Sequence, residues 1–338
     1  MNHAAEPARV TLEHPEGRVH LDDLGGGRRH VSVEVFDSEV FVPHDSCETA
    51  YPVELVSAIL AVKGPAWLCY SLQREESPLT VEVVLRQAIL SFVGEEELGG
   101  KRLLDFGCGS GASTMVLKRL LPDTVIVGID IAPEQLAIAR VRAEHYGLKD
   151  VEFVLSPRAD GLPAGIGTFD AILFSAVFEH MLPDERNDLL PRIWALLRPG
   201  GILLLNQTPH RWYPLEHHTT GLPFVNYLSD RLALRVARRF SKRVSVDATW
   251  EQLLRDGIRG GTERQILRIL GAAGEGEPVT LRPTRLGIRD SVDIWYAYST
   301  ARNPRPLKRA MRAAFKGLSR LTGEGFAPDL NLAFRKSG

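Results

Sequence analysis

The sequence predicts an α/β fold, a mostly parallel sheet with helices on both faces, and three features of residues 98–210 carry that expectation. Short apolar runs alternate there with segments of helical periodicity, the pattern of strands joined by crossover helices. The run from Leu103 to Ala112 places Gly107, Gly109 and Gly111 directly after an apolar strand that contains Asp105 near its end. The next apolar run closes on a second acid, Asp130, nineteen residues after Gly111. Around this core (98–210) the chain divides into an N-terminal extension with lid helices (1–97), a mainly helical substrate-binding insertion (211–325) and a final edge strand of the sheet (326–338).

Residues 1–30 are polar and contain Gly25-Gly26-Gly27, and the apolar residues between Val31 and Val42 suggest a strand or hairpin. Helical spacing appears at 52–62 and 81–92, with Trp67-Leu68-Cys69-Tyr70 between them. Strands are expected at 102–106, 124–129, 151–155, 169–174 and 202–206, and helices at 112–121, 133–146 and 183–197. Stop signals follow the helices, notably Gly147 and Arg198-Pro199-Gly200-Gly201. Beyond residue 210 comes a loop rich in aromatic and histidine residues, then arginine-rich helical patterns at 230–243, 249–257 and 262–272 and short strands at 278–283 and 330–334. A basic amphipathic helix at 306–321 reads as a solvated cover for the sheet, or as a surface for anionic lipid or a negatively charged acceptor.

At 338 residues, 44% of them hydrophobic, the chain can bury a full core. No run of eighteen apolar residues occurs, and Met1 to Arg9 lacks a signal-peptide pattern, so a cytoplasmic location without a transmembrane segment is the expectation. The three cysteines Cys47, Cys69 and Cys108 are dispersed and read as buried thiols rather than disulfides or zinc ligands. Charge is uneven. Residues 1–206 carry 18 Lys/Arg against 30 Asp/Glu, whereas residues 207–338 carry 23 against 12, so the later part can attract an anion or pair with the acidic part.

Glycines after a strand permit positive φ angles and the close backbone approach that a bound nucleoside or amino-acid moiety needs. The following helix points its amides at the ligand. Asp130, at the end of the next strand, suits the two hydroxyls of a ribose. Gly107, Gly109 and Ala112 also satisfy the dinucleotide fingerprint, so the glycines alone leave NAD open. Asp105 favours a ligand with an ammonium group, which dinucleotides lack.

The ordered set Asp105-Phe-Gly-Cys-Gly-Ser-Gly, Asp130, Phe169-Asp170, Glu179-His180 and Leu197-Arg-Pro-Gly-Gly resembles the class I S-adenosylmethionine-dependent methyltransferases over residues 98–210. It is similar in particular to the branch containing quinone-biosynthesis, natural-product and sugar methyltransferases. The resemblance implies a Rossmann-like sheet of seven strands with one antiparallel edge strand, and S-adenosyl-L-methionine as cofactor. It gives Asp105, Gly107, Gly109 and Gly111 to the methionine portion and Asp130 to the ribose, and Cys108, Ile131 and Ser175 complete the expected cofactor wall. Where many relatives have an adenine-contacting Asp before a Leu-Pro pair, this sequence has Arg158; Asp160 is the nearest substitute.

Methyl transfer from a sulfonium requires alignment, exclusion of water and, for a hydroxyl acceptor, removal of a proton. His180, following the fourth strand, is a candidate general base, with His210 and His217 as further catalytic candidates from the loop after the fifth strand. Glu179, Trp212, Tyr213, Glu216 and His218 are the candidate acceptor-binding residues; each aromatic could equally well pack the insertion. No metal-ligand spacing is convincing, and no metal is expected. The reading is a methyltransferase that O-methylates a small-molecule, secondary-metabolite or glycoside acceptor, anionic or lipid-linked acceptors included, with S-adenosylhomocysteine as product. An NAD-type oxidoreductase lacks a Tyr-x-x-x-Lys arrangement, an RNA methyltransferase lacks an RNA-binding module, and a non-catalytic methyltransferase-like binding protein stays open beside them.

Overall fold

The computed structural model describes residues 9–158, 161–302, 306–323 and 325–338. At the N-terminus, β1 (Arg9–His14), β2 (Gly17–Gly25), β3 (Arg28–Val35) and β4 (Ser46–Thr49) form an antiparallel sheet in that order. The glycine triplet makes the β2–β3 turn, with all three residues at positive φ. Where the sequence suggests a strand running to Val42, the structure ends β3 at Val35 and leaves Val40 and Phe41 exposed in the loop. Val19, Leu21 and Val31 on one face of this sheet meet Leu55, Val56, Ile59 and Leu68 of α1 (Val53–Glu76). That helix is kinked at Gly64 (φ 67°, ψ 168°), with Pro65 opening its second half. Its length and apolarity would suffice to cross a membrane, yet it is interrupted and 56% of its most apolar window is buried in the protein.

Next come α2 (Val83–Leu90) and α3 (Glu95–Leu98), and then the central alternation: β5 (Arg102–Phe106), α4 (Ala112–Leu120), β6 (Val125–Asp130), α5 (Pro133–His145), β7 (Val151–Leu155), β8 (Phe169–Ser175), α6 (Pro183–Ala195) and β9 (Leu197–Pro209). These match the sequence expectation to within a residue or two, except that β9 runs from Leu197 to Pro209 where 202–206 was expected. Phe169 pairs with Leu197 and Ala171 with Ile202, so Arg198–Gly201 bulges out of the ladder. Asp170 accepts from the Arg102 amide (2.9 Å) and from the Arg198 guanidinium (2.9 Å). The Phe-Asp and Arg-Pro-Gly-Gly motifs are therefore one clamp across the starts of β5, β8 and β9, at the opposite end of the sheet from the glycine turn.

The insertion contributes α7 (Asp230–Phe240), α8 (Trp250–Arg255) and α9 (Glu263–Gly271), the first two around a small core of Val225, Ala233, Ala237, Leu253 and Ile258. After β10 (Pro278–Thr280) comes α10 (Ser291–Arg302), which sequence periodicity did not announce because its moment is weak. It packs with α2 and with the amphipathic α11 (Pro306–Thr322), whose Arg312 and Lys316 bind Asp293 of α10. The chain closes with β11 (Asp329–Lys336).

The large sheet has seven strands in the order β10-β11-β9-β8-β5-β6-β7, and β11 alone runs against the rest. β11 sits one strand in from the edge that the sequence suggested, because residues 278–280 pair outside it. The order of winding reverses between β5 and β8. At such a switch point the loops leave in opposite directions and open a crevice at the carboxyl ends of the strands. Buried clusters cover both faces: Phe106, Phe174, Phe178 and Trp194 on one, and Leu103, Val116, Leu173 and Leu204 on the other.

Candidate functional site

The crevice is lined by the turns that leave β5, β6 and β8, and its two adjoining cavities, of 260 and 490 Å³, share Gly107, Ala176 and His180. Gly107, Gly109 and Gly111 adopt φ of 70°, 53° and 81°. A Cβ on Gly107 would lie 2.7 Å from a Val177 methyl, and one on Gly111 would lie 2.9 Å from Ala139 Cβ. A Cβ on Gly109 would meet nothing within 4 Å. The turn is thus packed from behind at its two ends and open to the crevice in the middle.

Asp105 lies beneath the turn, 1% exposed. One carboxylate oxygen accepts from Ser113 (2.8 Å) and Thr114 (2.7 Å); the other is buried without a partner. Burial raises its pKa to about 6 against the pull of those hydroxyls. Asp130 accepts from the Gly109 amide (2.8 Å) and the Ala132 amide (2.9 Å), fixing its carboxylate at the end of β6. Ile131, exposed, and Ser175 line the same crevice. Cys108 lines it too, but its thiol is turned into a cluster with Met115, Leu136 and Phe153. An open glycine cradle, a buried acid with a spare oxygen and an acid on the neighbouring strand fit a cofactor carrying an amino-acid end and a ribose. Asp160 lies outside the described residues, and Arg158 is exposed.

The far wall was less visible beforehand. α1 supplies Lys63, Trp67, Tyr70 and Arg74 to the larger cavity, and α5 supplies Gln135. Arg142, fully buried, holds α1 over the turn by donating to the carbonyls of Ser110 (2.8 Å) and Ser71 (3.1 Å). The run Trp67 to Tyr70, polarisable rings inside an apolar helix, was the available signal for this wall.

After β8 the chain passes Ala176, a non-glycine at φ 55°, and enters the turn that carries Glu179 and His180. Strain of this kind is commonly held at binding sites. Glu179 is fully buried; Thr208 donates to its Oε2 (2.9 Å), while Oε1 has no partner. Burial pushes its pKa up to about 8. His180 Nδ1 lies 2.6 Å from the Arg255 carbonyl. A carbonyl only accepts, so Nδ1 carries the hydrogen and Nε2 keeps its lone pair, 3.9 Å from Glu179 Oε1. His218 comes from the loop after β9, its ring centre 5.2 Å from that of His180. Burial lowers the pKa of both imidazoles, His218 to about 4, with His180 also opposing its protonation.

Other candidates from that loop serve elsewhere. Glu216 is buried and accepts the amides of His218 and Thr219, both at 2.9 Å, which fixes the backbone that presents His218. His210, 4% exposed, accepts the Trp212 amide (3.2 Å) and rests on Phe326; burial lowers its pKa to about 4. His217 Nε2 lies 3.1 Å from Asp329, joining the insertion to β11. Tyr213 packs on Phe315 and Phe326, and Trp212 faces a separate depression with Arg211 and Trp250. The structure therefore brings His180 and His218 into the crevice lining with the buried Glu179 within 4.8 Å of their donor atoms, and sets His210, His217, Trp212, Tyr213 and Glu216 outside that lining. Arg186, which spacing did not single out, donates to the carbonyls of Met181, Gly260, Glu179 and Arg259 at 2.7–3.0 Å while 3% exposed. It holds the Glu179–His180 turn against the insertion.

Residues 103–201 match the family model described as a methyltransferase domain. The chain is 38% identical over 113 residues to a demethylmenaquinone methyltransferase of Thermus thermophilus, covering 33% of this chain and 50% of the relative. It is 28% identical over 181 residues to a ribosomal protein L11 methyltransferase of Photobacterium profundum, covering 50% and 56%. With a ubiquinone biosynthesis O-methyltransferase of Cereibacter sphaeroides it shares 37% identity over 113 residues, covering 32% and 43%. The chain spans about half the length of these curated relatives. Their names carry different acceptors.

Proposed function

We propose that this chain, whose residues 103–201 form a class I S-adenosylmethionine-dependent methyltransferase domain, methylates a hydroxyl of a small-molecule acceptor and yields S-adenosylhomocysteine. The observation that carries the acceptor half of this reading is that His180 and His218 line the crevice with the glycine turn, with the buried Glu179 carboxyl beside them. S-Adenosylmethionine, when bound, supplies an electrophilic methyl on a positively charged sulfur. Asp105 and the turn 107–111 would hold its methionine end, and Asp130 its ribose.

The remaining work falls to the protein. α1 walls the larger cavity with Trp67 and Tyr70, which limits the water that reaches the reacting groups. The free lone pairs of His180 and His218, which line the cavity, accept from a hydroxyl and hold its oxygen in line. A neutral hydroxyl needs such acceptors because it must shed a proton; an amine that arrives unprotonated does not. The exposed Phe41 and Trp67, 6.3 Å apart, favour an acceptor with an apolar portion. Two of the relatives bear quinone names, which supports a small-molecule acceptor.

Equilibrium dialysis with S-adenosylhomocysteine, followed by transfer of isotopically labelled methyl groups into fractionated small molecules, tests this reading. Wild type should bind, and Asp130→Ala should weaken binding about 100-fold through loss of charge-assisted hydrogen bonds. Absence of binding to wild type, or label appearing only in protein or RNA, overturns it.

A further inference from the structure

Glu179, His180 and His218 have a second property in common. Their donor atoms all lie within 4.8 Å of one another, yet they make no hydrogen bond to each other. Glu179 Oε1 is buried and unpartnered, and the His218 ring has no hydrogen bond among the described residues. A buried carboxyl oxygen without a partner is costly unless something occupies the space it faces, and two half-buried imidazoles converge on that same space.

We propose that these three side chains are the protein ligands of a divalent transition-metal cation of the zinc class, with an open position toward the glycine turn for the acceptor's oxygen. This rests on reading the crevice as the acceptor site and alters how the hydroxyl is held there: with the cation bound, the imidazole lone pairs bind the ion, and the ion in place of the imidazoles takes the acceptor's oxygen.

The groups around each ligand match what metal ligands require. A coordinating histidine donates its other ring N–H to a carbonyl or carboxylate, which fixes ring and tautomer. His180 does so to the Arg255 carbonyl at 2.6 Å, leaving Nε2 for the ion. A coordinating carboxylate is itself hydrogen-bonded, and Thr208 holds Glu179 by the oxygen that faces away from the focus. His218 is set by Glu216 through the backbone and by Gly257 through the ring: a Cβ on Gly257 would lie 2.6 Å from His218 Cδ2. Ligand distances of about 2.0–2.2 Å put tetrahedral donors roughly 3.3–3.6 Å apart, so the separations, now up to 4.8 Å, close on binding by as much as about 1.3 Å. Two imidazole nitrogens and one carboxylate oxygen select borderline cations over magnesium. Three protein ligands leave a position open, as catalytic rather than structural sites do. A hydroxyl bound there gives up its proton to water more readily because the cation stabilises the oxyanion that is left.

The test uses the full chain, freed of metal by chelation, with no cofactor added. Wild type should take up one equivalent of Zn2+ in equilibrium dialysis and none of Mg2+ at millimolar concentration. His218→Ala and Glu179→Gln should each weaken Zn2+ at least 100-fold, and Thr208→Val about 10-fold. Binding of S-adenosylhomocysteine by every variant checks that it is folded. Substoichiometric uptake by wild type, or His218→Ala and Glu179→Gln binding as wild type does, overturns the cation site. Zinc uptake without S-adenosylhomocysteine binding overturns the methyltransferase reading instead, so the two failures are separable.

Discussion

The two walls of the crevice recognise by different means. On the glycine-turn wall the main chain does most of the positioning: three residues at positive φ, the amides of Gly109 and Ala132 on Asp130, and no side chain in front of Gly109. On the opposite wall one buried and two half-buried side chains from two distant segments do it, each oriented by a partner of its own: Thr208, Arg255 and Glu216. A main-chain site tolerates changes of side-chain chemistry but not of backbone shape. A side-chain site has the reverse sensitivity.

Arg186→Ala should break the contrast most severely. It strips the donor from four buried carbonyls and should cost about 4 kcal/mol in chemical denaturation, since each such bond contributes roughly 1–3 kcal/mol. The folded fraction should keep its affinity for S-adenosylhomocysteine within about 3-fold, because the residue touches only the Glu179–His180 turn and the insertion. An equal collapse of cofactor binding would show that the walls are not separable.

The glycines sharpen the contrast within one loop. Gly111→Ala adds a methyl against Ala139 as well as backbone strain and should destabilise by about 3 kcal/mol. Gly109→Ala has room for its methyl and should cost about 1 kcal/mol, yet weaken S-adenosylhomocysteine at least 10-fold by filling the cradle. If the two substitutions rank the same way in both measurements, the cradle is misplaced.

The smallest effect belongs to a region outside both walls. Burial opposes ionisation of Asp293, but its bonds to Lys316 and Arg312 outweigh that and hold its pKa below the usual carboxylate value. Its contribution to stability is therefore present above the unfolded-state pKa of about 4 and fades as pH falls below it. Asp293→Asn should flatten the acid limb of the melting-temperature profile without altering cofactor affinity; an unchanged limb would remove Asp293 from the account.

The same contrast explains what could be read in advance. The parallel strands, the glycine turn, Asp105 and Asp130 announce themselves because their positions are set by local periodicity and by backbone conformations that few residues adopt. Glu179 and His180 were legible as a pair, but their role depends on His218, delivered by the loop after β9 through contacts that no spacing encodes. His210 and His217 were as plausible by residue type; only folding shows that Trp212 and Asp329 already engage them. A strand at 278–283 was expected, but nothing in its spacing says that it pairs outside β11 and takes the edge.

Arg186 bears on how this molecule could change over generations. Its guanidinium joins the ligand-bearing turn of the sheet to Arg259 and Gly260 of the insertion, a short step from the Gly257 that steadies His218. The insertion is therefore not an exchangeable cassette. A graft of residues 211–277 from another scaffold would deliver a new pocket and, unless it also offered carbonyls to Arg186, loosen the turn against which that pocket must work. New acceptors are reached more safely from α1, whose ring-bearing face borders the same crevice with no share in that tie.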